Sequence, residues 1–361
     1  MVRTGNSDKL LFASVVGLVL FGLIMIHSAS AIVATDQFGS PYFFVRRQAI
    51  FAGLGLVGML VAMQVDYRIY NRKWIVYGAL GVVTVLLVAV FAFPEINGAH
   101  RWIKYGGFQL QPSELAKLAS ILFLAFWLDR HDDRSDVKRV LLPCAAVAGG
   151  LAVLVVAEPD LGTALGIGTA LVVMLFAASV PVSKILYLPL AASPFIIALL
   201  VLVPFRMKRI GAFMDPWSDP MGSGYHVIQS LLAIGSGGLS GIGLSQGRQK
   251  LYYLPEPHTD FIFAVIGEEL GMIGALAVVS VFVVLAWRGL RAAGRAPDEF
   301  GALLATGLTV MIVTQALFNI SVTLGLVPTK GIPLPFVSYG GSSLCISMSA
   351  MGVLLNISQG K

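Results

Sequence analysis

The sequence predicts an all-α polytopic membrane protein of about ten transmembrane helices, with a large extracytoplasmic loop between spans seven and eight. Three observations predict it. First, 57% of the 361 residues are hydrophobic and only 12% are charged, against about 25% charged in a soluble domain. That leaves too little polar surface to cover a globule in water. Second, the apolar residues gather in long runs, and about 20 such residues cross a bilayer. Third, Lys and Arg are distributed unevenly between the connecting segments. Backbone inside lipid must satisfy its own hydrogen bonds, so the runs read as helices.

The first run covers 10–33. It contains Ala29-Ser30-Ala31, which looks like a signal-peptidase site. The run before that site exceeds the roughly 7–15 residues of a signal-peptide core, so it is read as a retained first span. Runs 48–65 and 74–93 follow. Runs 113–128 and 140–157 are short and flanked by proline, so they are expected to tilt or to sit partly inside the bundle. Runs 162–180 and 184–203 complete the first seven, and 261–286, 301–325 and 340–357 make the last three. Residues 1–361 read as a single polytopic domain with no internal repeat and no soluble domain.

With the amino terminus in the cytoplasm, the inner segments hold Arg3, Lys9, Arg68, Arg72, Lys73, Arg130, Arg134, Lys138, Arg139, Lys184, Arg288, Arg291, Arg295 and Lys361. The short outer loops hold only Arg46, Arg47, Arg101, Lys104 and Lys330. The positive-inside rule then places both termini in the cytoplasm. It also accounts for the net charge of +6 without a nucleic-acid partner, and no basic stripe interleaved with aromatics suggests one. Cys144 and Cys345 lie in apolar runs without metal-ligand spacing and read as small buried residues.

The loop at 204–260 is long, rich in Gly and Pro, and carries Arg206, Lys208, Arg209, Arg248 and Lys250. Loops of that length are usually functional or disordered. Its middle, Tyr225 to Ile234, has apolar residues at helical spacing and is expected to form an amphipathic interfacial helix. Gly235 to Gly243 reads as a glycine-rich turn region.

Four groups of polar residues on the expected outer face could carry chemistry. In Leu254-Pro255-Glu256-Pro257-His258-Thr259-Asp260, polarity ends abruptly at an apolar span. Asp260 there reads either as a helix N-cap or as a general base whose pKa is raised by partial desolvation. Glu268 lies roughly 12 Å further along the helix at about 1.5 Å per residue. It and Glu269 are acids inside a span, costly unless functional or hydrogen-bonded to a neighbouring helix. In Gln111-Pro112-Ser113-Glu114-Leu115-Ala116-Lys117, Glu114 and Lys117 share a helix face. They either neutralise each other or offer a cation to an anionic headgroup. Glu158-Pro159-Asp160-Leu161-Gly162-Thr163, Pro328 to Pro335 and Ser338 to Ser343 supply turns or backbone N–H groups for a phosphate. Acids, bases and backbone donors beside apolar walls suit a substrate with an anionic head and a lipid tail. No nucleotide fingerprint accompanies them, which argues against ATP-driven transport.

Asn97-Gly98-Ala99-His100-Arg101-Trp102, Gln111 to Glu114, Glu158 to Thr163, Gly235-Ser236-Gly237-Gly238, Leu254 to Phe263 and Ser338 to Ser343 resemble, in order, the SEDS family of shape, elongation, division and sporulation proteins, which includes FtsW and RodA. Thr329-Lys330-Gly331 and Ile266-Gly267-Glu268-Glu269 look closer to FtsW. The resemblance implies a peptidoglycan glycosyltransferase of the bacterial cytoplasmic membrane. Such an enzyme polymerises lipid II into glycan strands during division or elongation. It works with a class B penicillin-binding protein, a transpeptidase, among other divisome or elongasome membrane proteins. The family's essential acid falls on Asp260, its helix-four acid and lysine on Glu114 and Lys117, and its loop tryptophan on Trp102. Arg101, Asp160, His258, Lys330 and Ser338 are expected to complete the substrate contacts, and Arg206 or Lys208 to help stabilise the leaving diphosphate. No resident cofactor is expected. The resemblance allows a divalent cation, Mg or Mn, held mainly by the diphosphate. Rival readings are a lipid II flippase, to which Glu268 and Glu269 would contribute, and a non-catalytic scaffold for a penicillin-binding protein.

Overall fold

The computed structural model describes residues 7–95, 98–105, 108–134, 136–201 and 204–360. Arg3, Asn97 and Lys361 lie outside the described residues, as does the side chain of Arg206. Among the described residues, each expected apolar run is helical over most of its length, with 184–203 divided at Leu186. The order is α1 (Lys9–Phe38), α2 (Phe43–Gln64), α3 (Lys73–Ala89), α4 (Pro112–Asp129), α5 (Leu142–Ala157), α6 (Leu161–Ala177), α7 (Val182–Ile185), α8 (Tyr187–Val201), α9 (Pro204–Met214), α10 (Tyr225–Gly237), α11 (Ile262–Ala293), α12 (Glu299–Thr323) and α13 (Gly341–Ser358). Among the described residues, seven helices are long and apolar enough to cross a membrane: α1, α2, α3, α5, α11, α12 and α13, with α3 and α5 each extended by an adjoining turn. α4 has the length, but it carries Glu114, Lys117 and Asp129.

α4 and α12 form the centre. α12 packs against α4, α6 and α11, and Ile121, Leu124 and Leu128 of α4 are wholly enclosed. The expectation that run 113–128 sits inside the bundle matches this placement. Interior position also explains its charges, because Glu114 and Lys117 face each other rather than lipid.

Two features depart from the sequence reading. Ile103–Tyr105 (β1) pairs antiparallel with Phe108–Leu110 (β2), Ile103 opposite Leu110. This small hairpin stands between α3 and α4 and brings Trp102 and Gln111 together at its open end. Alternating side chains around Gly106-Gly107 were its signal in the sequence. The long loop also holds more helix than the middle segment alone, since α9 opens it.

The helix expected over 225–234 runs on to Gly237 and docks against α11 and α12 instead of lying free. Its Ser230 Oγ donates to Thr323 O at 2.7 Å. A Cβ on Gly237 would stand 1.9 Å from Gly267 O. Gly237→Val should therefore push α10 off α11, and overpacking of this kind costs about 1–3 kcal/mol. A lower melting temperature in detergent is expected. A melting curve identical to the parent's would show that the two helices do not depend on this contact.

α11 is interrupted at Gly271 (φ 65°, ψ −165°), a backbone state that glycine adopts readily. Past the break, Met272 N and Ile273 N donate to Gly238 O and Leu239 O at 2.9 and 3.1 Å. In return, Glu268 O and Glu269 O accept from Ile242 N and Gly243 N at 3.1 and 3.0 Å. The loop thus satisfies backbone groups that the broken helix leaves open. The two glutamate side chains join the same clasp. Glu268 accepts from Arg248 N at 2.7 Å and Gln249 N at 3.1 Å. Glu269 accepts from Lys250 Nζ at 2.5 Å, Ser28 Oγ at 2.6 Å and Ser245 N at 3.1 Å. They anchor the segment leading to Asp260, and their partners are that loop and α1.

Candidate active site

A cavity of about 250 Å³ opens between the residues flanking the β hairpin, α4, α6, α12, the start of α13 and the segments 256–260 and 331–340. Six of the expected site residues line it: Arg101, Trp102, Glu114, Lys117, Asp160 and Asp260.

The floor is ionic. Pro112 suits the first turn of α4, and Glu114 and Lys117 then meet one turn apart, Nζ to Oε1 2.9 Å, both buried. Glu114 Oε2 also accepts from Ser343 Oγ at 3.1 Å, and Lys117 donates to Gln315 Oε1 at 2.7 Å. Each charge therefore has a second partner, as burial requires.

Asp160 closes one side as the N-cap of α6. It accepts from Thr163 N at 3.1 Å, Thr163 Oγ1 at 2.8 Å, Gln111 Nε2 at 3.0 Å and Ser113 Oγ at 3.2 Å. Those bonds join the start of α4 to the start of α6. Arg101 Nε donates to Glu158 O at 3.2 Å, and its Nη2 to Pro159 O. Its guanidinium is thereby held at the cavity wall. Glu158 itself is fully enclosed, and neither carboxyl oxygen has a hydrogen-bond partner among the described residues. Burial, and then the charge of Asp160, push its pKa up to about 8 against the pull of Arg101.

Asp260 does not cap α11. The residue before that helix is Phe261, and no side chain caps it. Instead, three successive carbonyls of its segment are captured. His258 O accepts from Tyr339 N at 2.9 Å, Thr259 O from Ser338 Oγ at 2.6 Å, and Asp260 O from Asn319 Nδ2 at 2.8 Å. The backbone is fixed and the carboxylate points at Gly331, where an added Cβ would stand 2.8 Å from Oδ2. Burial, followed by the charge of Glu256, pushes the Asp260 carboxyl up to about 7. Arg101 and Arg209 pull it down, and Asp160 adds a smaller push upward. A carboxylate that exchanges its proton near neutrality, beside fixed cations, is equipped for general-base work at an anionic substrate.

Three expected contacts do not line the cavity. Ser338 is occupied as a pin, donating to Thr259 O while accepting from Leu334 N at 2.8 Å. His258 is packed between Phe44 and Tyr339, with ring centroids 4.5 and 5.7 Å away. Lys330 stands next to the lining residue Gly331 without entering the wall. All three sit in motifs that shape the cavity, which is why sequence proximity to Asp260 and Gly331 pointed to them. Conversely, Gln111, Glu256 and Ser343, quoted from sequence only as parts of motifs without roles of their own, line it together with Gln315, which the sequence reading passed over. Arg209, read only as one of the loop's cations, acts on Asp260 through its charge. Gln315 and Asn319 had a signal: two amides spaced i,i+4 in an otherwise apolar helix.

Residues 8–361 match a family model of FtsW, RodA and SpoVE described as cell cycle protein. A probable peptidoglycan glycosyltransferase FtsW of Trichlorobacter lovleyi is 44% identical, the match covering 99% of this chain and 94% of the relative. Stage V sporulation protein E of Bacillus subtilis is 43% identical over 98% of this chain and 97% of its own. Among solved structures, a chain of a peptidoglycan synthase complex that coordinates polymerization and crosslinking superposes with TM-score 0.81 at 31% identity, covering 98% of this chain and 97% of that one. RodA of Thermus thermophilus superposes with TM-score 0.72 at 28% identity, covering 98% of this chain and 96% of its own.

Proposed function

The chain belongs to the FtsW, RodA and SpoVE family of cell cycle proteins, and from that premise we propose that it is a peptidoglycan glycosyltransferase polymerising lipid II. The observation that carries the reading is the cavity in which Asp260, poised near neutrality, shares walls with Arg101 and the Glu114–Lys117 pair. Relatives at 44% and 45% identity bear the name peptidoglycan glycosyltransferase.

In this reading Asp260 takes the proton from the GlcNAc 4-hydroxyl of an incoming lipid II. The oxygen attacks the anomeric carbon of the MurNAc at the lipid-linked end of the growing strand. The new glycosidic bond forms as the bond to undecaprenyl diphosphate breaks, with inversion. Arg101 and Lys117 stabilise the charge that gathers on the leaving diphosphate. A divalent cation, Mg or Mn, would find no cage of three His, Cys, Asp or Glu side chains among the described residues. It would take its ligands mainly from the diphosphate, and no step here depends on it.

The ten apolar runs are then spans of the bacterial cytoplasmic membrane, with both termini inside and 204–260 outside. The Lys and Arg distribution supports that orientation, and it puts the cavity on the face where lipid-linked sugars are assembled into wall. A class B penicillin-binding protein fits as partner, since the solved complex with the same fold is a peptidoglycan synthase that coordinates polymerization with crosslinking. Incubating detergent-purified protein with lipid II alone, followed by gel separation of glycan chains, tests the assignment. Polymer without an added transferase is the expected result. Transfer of lipid across liposomes without polymer would favour a flippase.

The acid limb gives a second check. Asp260 works as a base only when deprotonated, so kcat/KM should rise with pH through about 7. It should fall by about tenfold per unit below that point. A rate independent of pH between 5.5 and 8 (about one and a half units below the expected midpoint to one above it) would remove Asp260 from the proton transfer.

A further inference from the structure

α12 reaches the site with two amides one turn apart, and both grip the same short stretch of backbone. Asn319 Nδ2 donates to Asp260 O at 2.8 Å and to Ile332 O at 2.7 Å. Gln315 Nε2 donates to Pro333 O at 3.0 Å, while its Oε1 accepts from Lys117 Nζ at 2.7 Å. Residues 331–333 therefore lie between the acid and the ion pair, tied to one by Asn319 and to the other by Gln315. Gly331, the first residue of that stretch, faces the Asp260 carboxylate, where a Cβ would stand 2.8 Å from Oδ2.

We infer that Asn319 is a positioning residue for the transfer: its side-chain amide fixes Asp260 against the 331–333 backbone, at a set separation from the Glu114–Lys117 pair. The inference deepens the proposed function and rests on it for the role of Asp260. Asn319 is buried at 1% exposure, and α12 is held on several sides by the bundle, so its amide is a rigid reference point. Ser338 and Tyr339 grip the two preceding carbonyls independently. Losing Asn319 thus releases only the last of three anchors, and the segment shifts without detaching.

The consequence is legible in protonation as well as in rate. The charged groups facing Asp260 are Glu256 on its own segment, Arg101 beside the hairpin, Arg209 on α9 and Asp160 at the start of α6. None of these is changed by substituting Asn319. A released Asp260 gains water, and its raised pKa relaxes toward the ordinary carboxylate value.

The test compares Asn319→Leu, which keeps volume and drops the donor, with Asn319→Ala and the parent, all as full-length protein in detergent. With lipid II, kcat is expected to fall on the order of 10–100-fold with little change in KM. The acid limb should move to lower pH by about one unit. Infrared difference spectroscopy, with Asp260→Asn as the reference, reads the Asp260 carboxyl band directly and should show the same displacement. A merely structural role would scale the rate with the folded fraction and leave limb and band where they are in the parent. That result, or an unchanged kcat, overturns the inference. The two readings fail separately. If Asp260→Asn polymerises normally, the base assignment falls, while the infrared titration still reports whether Asn319 holds Asp260 in place.

Discussion

Asp260→Asn is expected to lower lipid II polymerisation by about 10²–10⁴-fold, the worth of a well-placed general base, in a protein that folds as the parent does. Asn is nearly isosteric with Asp, and the three carbonyl anchors of the segment are backbone groups that the substitution leaves alone. The stability of the variant can be given a sign. The Asp260 carboxyl shifts from an ordinary 3.8 to about 7 on folding. Between those values the folded protein keeps a proton that the unfolded chain has released, so stability falls as pH rises through that window. Asn never ionises and escapes this loss. The variant should therefore melt no lower than the parent at pH 8, and the difference should shrink toward pH 4. Inactivity with an undiminished melting temperature identifies the side chain as chemical. Full activity in the same folded protein would sink the assignment.

The helical bundle was legible because lipid simplifies the problem. A run of apolar residues has one stable backbone solution in a bilayer, and runs such as 48–65 and 301–325 became α2 and α12 with edges displaced by a few residues. Asp260, Glu114 and Lys117 were legible for the related reason that charge is conspicuous where charge is expensive. The limits are equally physical. Ser338 and His258 belong to the right motifs, but a motif does not say whether a hydroxyl meets substrate or a neighbouring carbonyl. Ser338 meets Thr259 O. Gln315 and Asn319 are uncharged and stand among apolar neighbours, and their importance comes from carbonyls brought beside them by residues 331–333. Glu256 looked like part of a polar loop, and only the fold turns it toward the cavity shared with Asp260. The break in α11 had no marker beyond Gly271, since glycine is common in membrane helices. Its exchange partners lie in a loop some thirty residues earlier in the chain.

Removing one half of the buried ion pair should have the largest effect on folding. Glu114 and Lys117 are 4% and 6% exposed, and deleting one partner of such a pair costs about 3–5 kcal/mol, because the other charge stays buried. Glu114→Ala leaves Lys117 with Gln315 Oε1 and no counter-charge at 2.9 Å. It also frees Ser343 Oγ, which joins α13 to α4. A large drop in melting temperature is expected, together with loss of polymerisation. That result alone would leave the role of Lys117 in the reaction undecided between structure and substrate. The double variant Glu114→Gln/Lys117→Met separates them. It removes both charges while keeping similar volume, and neutral replacement of a buried pair is often harmless to stability. Most of the lost melting temperature should return. If Lys117 acts on the diphosphate as the cavity suggests, polymerisation should not return with it. Recovery of stability and rate together would make the pair a device of the fold alone, and Arg101 would be left to meet the leaving group's charge.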